Sequence, residues 1–259
     1  MQVERSNYLS PIEKELNFSL WTKKNGIKQF LFDLDDTICS TRRIFVEHKQ
    51  EALDYLLSSY PSLNPEQFRD EYIRTGNEAF EKLGVNSNQF NFISDCLCDK
   101  FNLSEETRQT IKGIYKNIYD TPLTFLDGAQ ETLQFLKKIE MPLGIVTHGN
   151  RHWTYKKYQW LNLERFLNWE DVYVIDENTH KTSESWLDAI QYFRLQPQDC
   201  VVVGDSPRAD INPASQIGVR HCFLVESQIP WSIHQQPVSP EVRTIKNISE
   251  IISIGSTTL

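Results

Sequence analysis

Phe30-Leu31-Phe32-Asp33-Leu34-Asp35-Asp36-Thr37 is the stretch on which the rest of this sequence turns. Ile27 to Leu34 reads as a buried strand whose centre, Phe30-Leu31-Phe32, is a continuous apolar run, the pattern of a strand covered on both faces. It ends in Asp33, Asp35 and Asp36, and like charges gathered at a strand end cost stability unless a cation joins them. Asp33 and Asp35 lie two apart, so in extended chain both side chains point the same way. One can then attack a phosphorus while the other handles a proton. The same residues also read as an Asp-rich turn that caps a helix.

Outward from this stretch, further short apolar runs predict strands at Leu143–Val146, Val172–Ile175, Cys200–Val203 and His221–Val225, with a last one near Val242–Ile245. Helical segments alternate with them. Asp127 is placed to cap a helix carrying Ala129, Leu133 and Leu136; Trp186, Ile190 and Phe193 share one helix face; Pro213 to Ile217 is closed by Gly218. Strand alternating with helix predicts an α/β fold built on a parallel sheet, with ligands bound beyond the carboxyl ends of the strands.

Between the first strand and the second the pattern changes. Leu53, Leu56, Leu57 and Tyr60, and again Ile111, Ile114, Tyr115 and Ile118, follow helical spacing, and Asn64-Pro65-Glu66 and Ser104-Glu105-Glu106 supply helix starts. Residues 40–124 therefore read as an all-helical insert, flanked by an α/β core made of residues 1–39 and 125–259. Leu16, Leu20 and Trp21 in the N-terminal lead predict a helix docked on the core or on another subunit, and Gln228 to Pro240 reads as a surface excursion.

Composition narrows the class. Hydrophobic residues are 39% and charged residues 24%, as in a folded globular protein. Asp and Glu number 35 against 27 Lys and Arg, a net charge of −8 that offers no global attraction to nucleic acid or an anionic membrane. No apolar run approaches the ~18 residues of a membrane span, and the first residues have neither a basic nor an apolar leader, so the expected location is the cytoplasm. Of the five cysteines, Cys200 and Cys222 lie in apolar runs, and Cys96-Leu97-Cys98 lacks a second ligand cluster for a metal finger.

The other strand ends also carry reactive groups. The second ends in Thr147-His148-Gly149-Asn150, a hydroxyl followed by backbone able to aim N–H groups at an anion. Lys181 follows the third strand, and Gly204-Asp205-Ser206-Pro207-Arg208-Ala209-Asp210 follows the fourth, adding two carboxylates suited to hard oxygen coordination of magnesium.

These four strings, in this order from Phe30 to about Val225, resemble the four motifs of the haloacid dehalogenase superfamily of phosphotransferases. The resemblance implies a Rossmann-like core with the helical insert as a cap, and Mg²⁺ as cofactor. It implies that Asp33 is the nucleophile that becomes an aspartyl-phosphate, and that Asp35 is general acid and then base. It implies that Thr147 holds phosphoryl oxygens, that Lys181 neutralises charge between nucleophile and phosphate, and that Asp205 ligates the metal. In the same way Asp33 and Asp35 join the metal site, with Asp210 behind it. Asp35 distinguishes phosphate-ester chemistry from the dehalogenase and phosphonate-cleaving branches, which lack the second Asp.

Two positions depart from the family pattern: Thr182 stands where Pro is usual, and His148 where Asn is common, with its backbone N–H still available to phosphate. The expected activity is hydrolysis of a small phosphorylated metabolite. The alternatives are a phosphomutase and a catalytically idle phospholigand-binding or protein-interaction member of the fold. Thr41, Arg42 and Arg43 border the insert and can reach an anionic substrate or form a solvated face. Trp153, Trp160 and Trp169 can line an aromatic pocket or fill the core.

Overall fold

The computed structural model describes residues 10–226 and 242–255; the excursion expected at Gln228 to Pro240 lies outside the described residues. Six strands, β1 (Gln29–Phe32), β2 (Leu143–Gly149), β3 (Val172–Asp176), β4 (Cys200–Gly204), β5 (His221–Val225) and β6 (Arg243–Ile245), form one sheet. β1 to β5 each coincide with an apolar run of the sequence, and β6 lies in the stretch near Val242–Ile245 where a last strand was expected. The order is β3-β2-β1-β4-β5-β6 and all pairings are parallel. The chain moves outward from β1 to β3, then crosses back to β4, so the switch point falls between β1 and β4, where crevices in such sheets open.

Alternation along β1 builds two cores. Phe30 and Phe32 face one side with Val201, Val203 and Ile145, while Leu31 faces the other with Val146, Val202, Trp186 and Ile190. The first side is covered by α1 (Pro11–Asn25) and α6 (Ala129–Lys138), the second by α8 (Ser183–Tyr192) and α9 (Asn212–Gln216). α7 (Arg151–Trp160) follows β2.

α1 has a capping box of Ser10 and Glu13, Pro11 in its first turn, and Gly26 left-handed (φ 68°) at its end. It docks on the core through Trp21, as expected, and through Phe18, but not through Leu16 and Leu20. Phe18 is fully buried and stacks on Phe30 with ring centroids 5.6 Å apart, whereas Leu16 is 57% exposed. The reading of Asp127 as a helix cap is also corrected: Gly128 holds the cap position with φ 79° and no side-chain cap. A Cβ at Gly128 would collide with the Asn247 side chain, so only glycine fits. α9 falls where Pro213 to Ile217 was expected, shifted by one residue, and follows a single π-helical turn, Pro207–Ile211, just beyond the end of β4.

Between β1 and β2 the chain is helical throughout: α2 (Thr41–Ser59), α3 (Pro65–Leu83), α4 (Asn88–Lys100), α5 (Glu105–Lys116) and a 3-10 turn, Asn117–Asp120. Asn64 and Ser104 cap α3 and α5 as their sequence predicts. Leu53, Leu56, Ile111, Tyr115 and Ile118 fill the interior of this layer. The layer meets the sheet's carboxyl edge at several points. Phe45 of α2 lies 6.1 Å from Trp153 of α7, and Asn86 donates to Asn178, just beyond β3, at 2.9 Å. Among the described residues no helix is long and apolar enough to cross a membrane.

Phe18→Ala is expected to lower stability by about 3–5 kcal/mol, because a fully buried ring between α1 and β1 leaves a cavity. Leu16→Ala, on the opposite face, should change it by less than about 0.5 kcal/mol. Urea unfolding of the two variants checks which face of α1 docks.

Candidate active site

Asp33 stands one residue beyond β1 and still belongs to the ladder, its N–H donating to the Val203 carbonyl at 2.8 Å. The chain then turns sharply: the N–H groups of Ile38 and Cys39 both donate to the Leu34 carbonyl, and Asp36 sits left-handed at φ 58°, a region Asp tolerates better than most residues. The Asp36 carboxylate accepts the Arg42 N–H at 2.9 Å, satisfying an orphan donor in the first turn of α2. Burial pushes its carboxyl up to about 6. The helix-capping reading of the motif thus holds for one carboxylate of the three, Asp36.

Asp33, Asp205 and Asp210 offer carboxylate oxygens that all lie within 4.8 Å of one another, and all three residues are buried. Lys181 enters this cluster from the loop before α8. Its Nζ donates to Asp33 Oδ1 at 2.6 Å and to the Val146 carbonyl at 2.8 Å, and lies 2.5 Å from Asp210 Oδ1. Burial alone would strip the proton from this ammonium, yet Asp210 and Asp33 outweigh it and raise the group's proton affinity. The acids move upward as well. Burial is the largest cause for Asp33, countered in part by Lys181 and reinforced by Asp210 and Asp35; burial, then Asp210 and Asp33, drive Asp205. Three carboxylates against one ammonium leave an excess of negative charge in a buried place, and their hard oxygens fit a divalent cation that would neutralise it.

Local backbone makes this approach possible. The Ser206 N–H donates to Asp210 Oδ2 at 3.1 Å, and a Cβ on Gly204 would fall 2.5 Å from the Asp210 carboxyl, so the strand end must be glycine for the π-turn to fold Asp210 back. Thr182 caps α8, accepting the Ser185 N–H at 3.4 Å, and so fixes the residue before it, Lys181. The departure from Pro at this position therefore exchanges one helix-start device for another and leaves the ammonium in place.

Thr147 is buried on β2, at the same sheet edge as Asp33: Phe32 is in register with Ile145, and Thr147 follows two residues later. His148 comes next, half-buried, with Nε2 lacking a hydrogen-bond partner; burial first and Lys181 second lower its proton affinity.

Asp35 goes elsewhere. Its carboxylate lies outside the three-acid group and accepts from Lys157 Nζ on both oxygens, at 2.6 and 2.7 Å, and from Thr41 Oγ1 at 2.5 Å. Lys157, on α7, is a residue the sequence reading passed over. It resembles its neighbour Lys156, which pairs with Asp120 on the surface. The available signal was helical phase, since Lys157 falls four residues after Trp153 and therefore on the inward face. Its Nζ sits 3.4 Å from the Trp153 ring centroid.

Around these groups the structure sorts the remaining candidates. Trp153 joins Tyr119 of the helical layer (4.8 Å) and Phe45, and its Nε1 is buried without a partner. Trp169 instead packs on Tyr155 and Tyr158, and Trp160 packs against the main core. Arg43 is exposed and pairs with Glu47, while Arg42 borders a surface cleft with Lys246 and Glu226. Glu177, just past β3, was also passed over: Oε1 accepts from Asn150 at 3.0 Å and Oε2 is buried and unpartnered.

The comparisons with known proteins agree with this geometry. A glyceraldehyde 3-phosphate phosphatase from Pyrococcus furiosus is 28% identical over 198 residues, covering 75% of this chain and 79% of that protein. One from Methanopyrus kandleri is 23% identical, covering 74% and 82%. Among solved structures, a haloacid dehalogenase-like family hydrolase from Xanthomonas campestris superposes with a TM-score of 0.71 at 16% identity, over 88% of this chain and 90% of that one. The Bacillus subtilis HAD-hydrolase YfnB, solved bound to magnesium, gives 0.64 at 18% identity, over 89% and 99%. At these identities the structures attest the fold alone. The model of the haloacid dehalogenase-like hydrolase family matches residues 30–224, which runs from β1 into β5 and takes in Asp33, Asp35, Asp36, Lys157, Glu177, Lys181, Asp205 and Asp210. The chain belongs to the haloacid dehalogenase-like hydrolases.

Proposed function

We propose that this protein is a cytoplasmic, magnesium-dependent phosphatase that hydrolyses a small phosphorylated metabolite through an aspartyl-phosphate on Asp33. The observation that carries the reading is the meeting of Asp33, Asp205, Asp210 and the Lys181 ammonium at the carboxyl edge of the sheet, beside Thr147. Relatives named as phosphatases of a three-carbon phosphate support the reaction class. Five free cysteines fit a reducing compartment.

In this reading Asp33 and Asp205 hold the cation, and Asp210, with one oxygen toward Lys181 and the other on the Ser206 N–H, holds Lys181 in place. The Asp35 carboxylate is committed to Lys157 and Thr41, outside the three-acid group, so the cation is held without it. Bound Mg²⁺ supplies charge neutralisation between the Asp33 carboxylate and a phosphate dianion. Lys181 screens the same repulsion, and the Thr147 hydroxyl and the N–H of His148 orient phosphoryl oxygens. An Asp33 oxygen attacks phosphorus and the bond to the leaving oxygen breaks, while Asp35, entering this step as the carboxylic acid with its proton on Oδ2, the oxygen that Thr41 does not hold, gives that proton to the leaving oxygen. Asp35 then takes a proton from water as the water attacks phosphorus, which frees inorganic phosphate and the Asp33 carboxylate. The helical layer acts as the cap, residues 40–124 closing over core residues 1–39 and 125–259 and excluding bulk water.

The positions that favour an idle member leave the machinery intact: Lys181 reaches Asp33 beside Thr182, and His148 keeps its main chain at the site. Three unpartnered polar atoms, Trp153 Nε1, Glu177 Oε2 and His148 Nε2, support a leaving group that carries hydroxyl or carbonyl oxygen beyond the phosphate. An apolar leaving group would strand them.

Asp33→Asn should reduce phosphate release from a panel of sugar, triose and glycerol phosphates to background, and EDTA should do the same to the wild type. Retained turnover in Asp33→Asn overturns the mechanism. Mg²⁺ at 100 times its Kd should stabilise the fold by about 2.7 kcal/mol, read as a rise in Tm, and Asp205→Asn should remove most of that rise. On substrate choice, wild type should favour glycerol phosphate over propyl phosphate by about tenfold or more in kcat/KM, and Glu177→Gln should narrow the gap.

A further inference from the structure

Lys157 is 1% exposed, and a buried ammonium is costly unless its charge is met. Its partner does not need it in the same way. The Asp35 side chain keeps 29% of its surface accessible, so water can solvate it without Lys157. A pair of this kind is weak evidence for stability, since an apolar side chain of equal volume would fill the α7 position at lower cost. What the arrangement does provide is direction. Both Asp35 oxygens are taken by one Nζ at 2.6 and 2.7 Å, and Thr41 Oγ1, from the first turn of α2, adds a second donor at 2.5 Å. The ammonium is held from behind by the Trp153 ring at 3.4 Å. Cys39 Sγ, the remaining neighbour, lies 3.8 Å from Oδ1 and is a weak donor only.

We propose that Lys157, seated on Trp153, is a positioning residue that aims the Asp35 carboxyl group at the oxygen of the departing group. The inference rests on the phosphatase reading and deepens it. Proton transfer requires the acid within hydrogen-bond reach of the leaving oxygen, and of the two donors that fix the angles of this carboxyl group, Lys157 and Thr41, only Lys157 holds both oxygens. Trp153 also touches Tyr119 and Phe45 of the helical layer, so the same ring that seats the lysine lies where that layer meets α7.

The test uses the full-length protein and two esters: glycerol phosphate, whose alkoxide needs a proton, and p-nitrophenyl phosphate, whose phenolate leaves without one. The readout is kcat/KM, which covers steps only as far as departure of the leaving group. Lys157→Met should lower kcat/KM on glycerol phosphate at least about 30-fold, a large part of the roughly 10²–10⁴-fold that loss of the acid itself would cost, and on p-nitrophenyl phosphate no more than about threefold. Thr41→Val removes the second donor at nearly constant volume and should show the same imbalance to a smaller degree, which keeps the proposal open to test should Lys157→Met fail to fold. An equal fall on both esters would assign Lys157 to phosphate binding or to general structure and overturn the proposal, as would a Thr41→Val enzyme that loses the two activities in parallel. Wild-type protein with no phosphate release that depends on Asp33 would overturn the phosphatase reading itself and this role with it, a result distinct from an active enzyme that shows no imbalance.

Discussion

The Lys181 ammonium, shared between Asp33 and Asp210 in a buried crevice, is the interaction on which the rest of the site depends. A lysine cannot stay charged without water unless anions surround it, and the anions cannot crowd together unless a cation is among them. Each side of the cluster is therefore a condition for the other. Three separate strand ends must come together within hydrogen-bond distance to meet it: Asp33 after β1, Lys181 in the loop between β3 and α8, and Asp210 in the turn after β4. The parallel sheet supplies that meeting because every strand ends at one edge, and the reversal of strand order between β1 and β4 opens the crevice beside Asp33.

The surrounding backbone is shaped to keep this charge cluster compact. Gly204 is small because Asp210 folds back against it, and the π-helical turn directs the Ser206 N–H at one Asp210 oxygen while Lys181 holds the other. Thr182 does for α8 what a proline would do at that position, starting a helix at a defined residue so that Lys181 points inward. On the other side of the motif, Asp36 caps α2 and leaves its two companions for other partners. An Asp-rich turn is thus divided by geometry: one carboxylate for the charge cluster, one for the helix cap, and one for Lys157.

Much of this was legible in the sequence, for identifiable reasons. Apolar runs flanked by acids located the strands because strands buried on both faces leave no alternation to confuse with a helix. Asn64 and Ser104 located α3 and α5 because capping is a local interaction. The failures were of another kind. Docking of α1 by Phe18 instead of Leu16 and Leu20 depends on which face meets Phe30, a tertiary fact that similar apolar residues on two faces cannot reveal. Gly128 displaced Asp127 as the cap because Asn247, more than a hundred residues away, occupies the space a Cβ would need. Lys157 and Glu177 were passed over because each looks like a surface charge until its burial is known.

The fate of Asp35 shows what sequence spacing does and does not determine. Two residues from Asp33 in an extended strand, it would share a face with the nucleophile and compete for the same cation. The turn that begins at Leu34 breaks the extended geometry and frees Asp35 to swing toward α7, where an ammonium and a hydroxyl from two other elements receive it. The spacing of the motif thus sets the chemistry available, while the turn and the helix after β2 decide how the two carboxylates divide it. Separation has a physical consequence: an acid placed among Asp33, Asp205 and Asp210 would be tied to the cation's charge, whereas one held on Lys157 stands next to Trp153, on the side of the helical layer from which a substrate's leaving group would enter. In the phosphatase reading proposed above, Asp33 as nucleophile and Asp35 as proton donor would then act on opposite ends of the same breaking bond, which is the arrangement an in-line displacement at phosphorus requires.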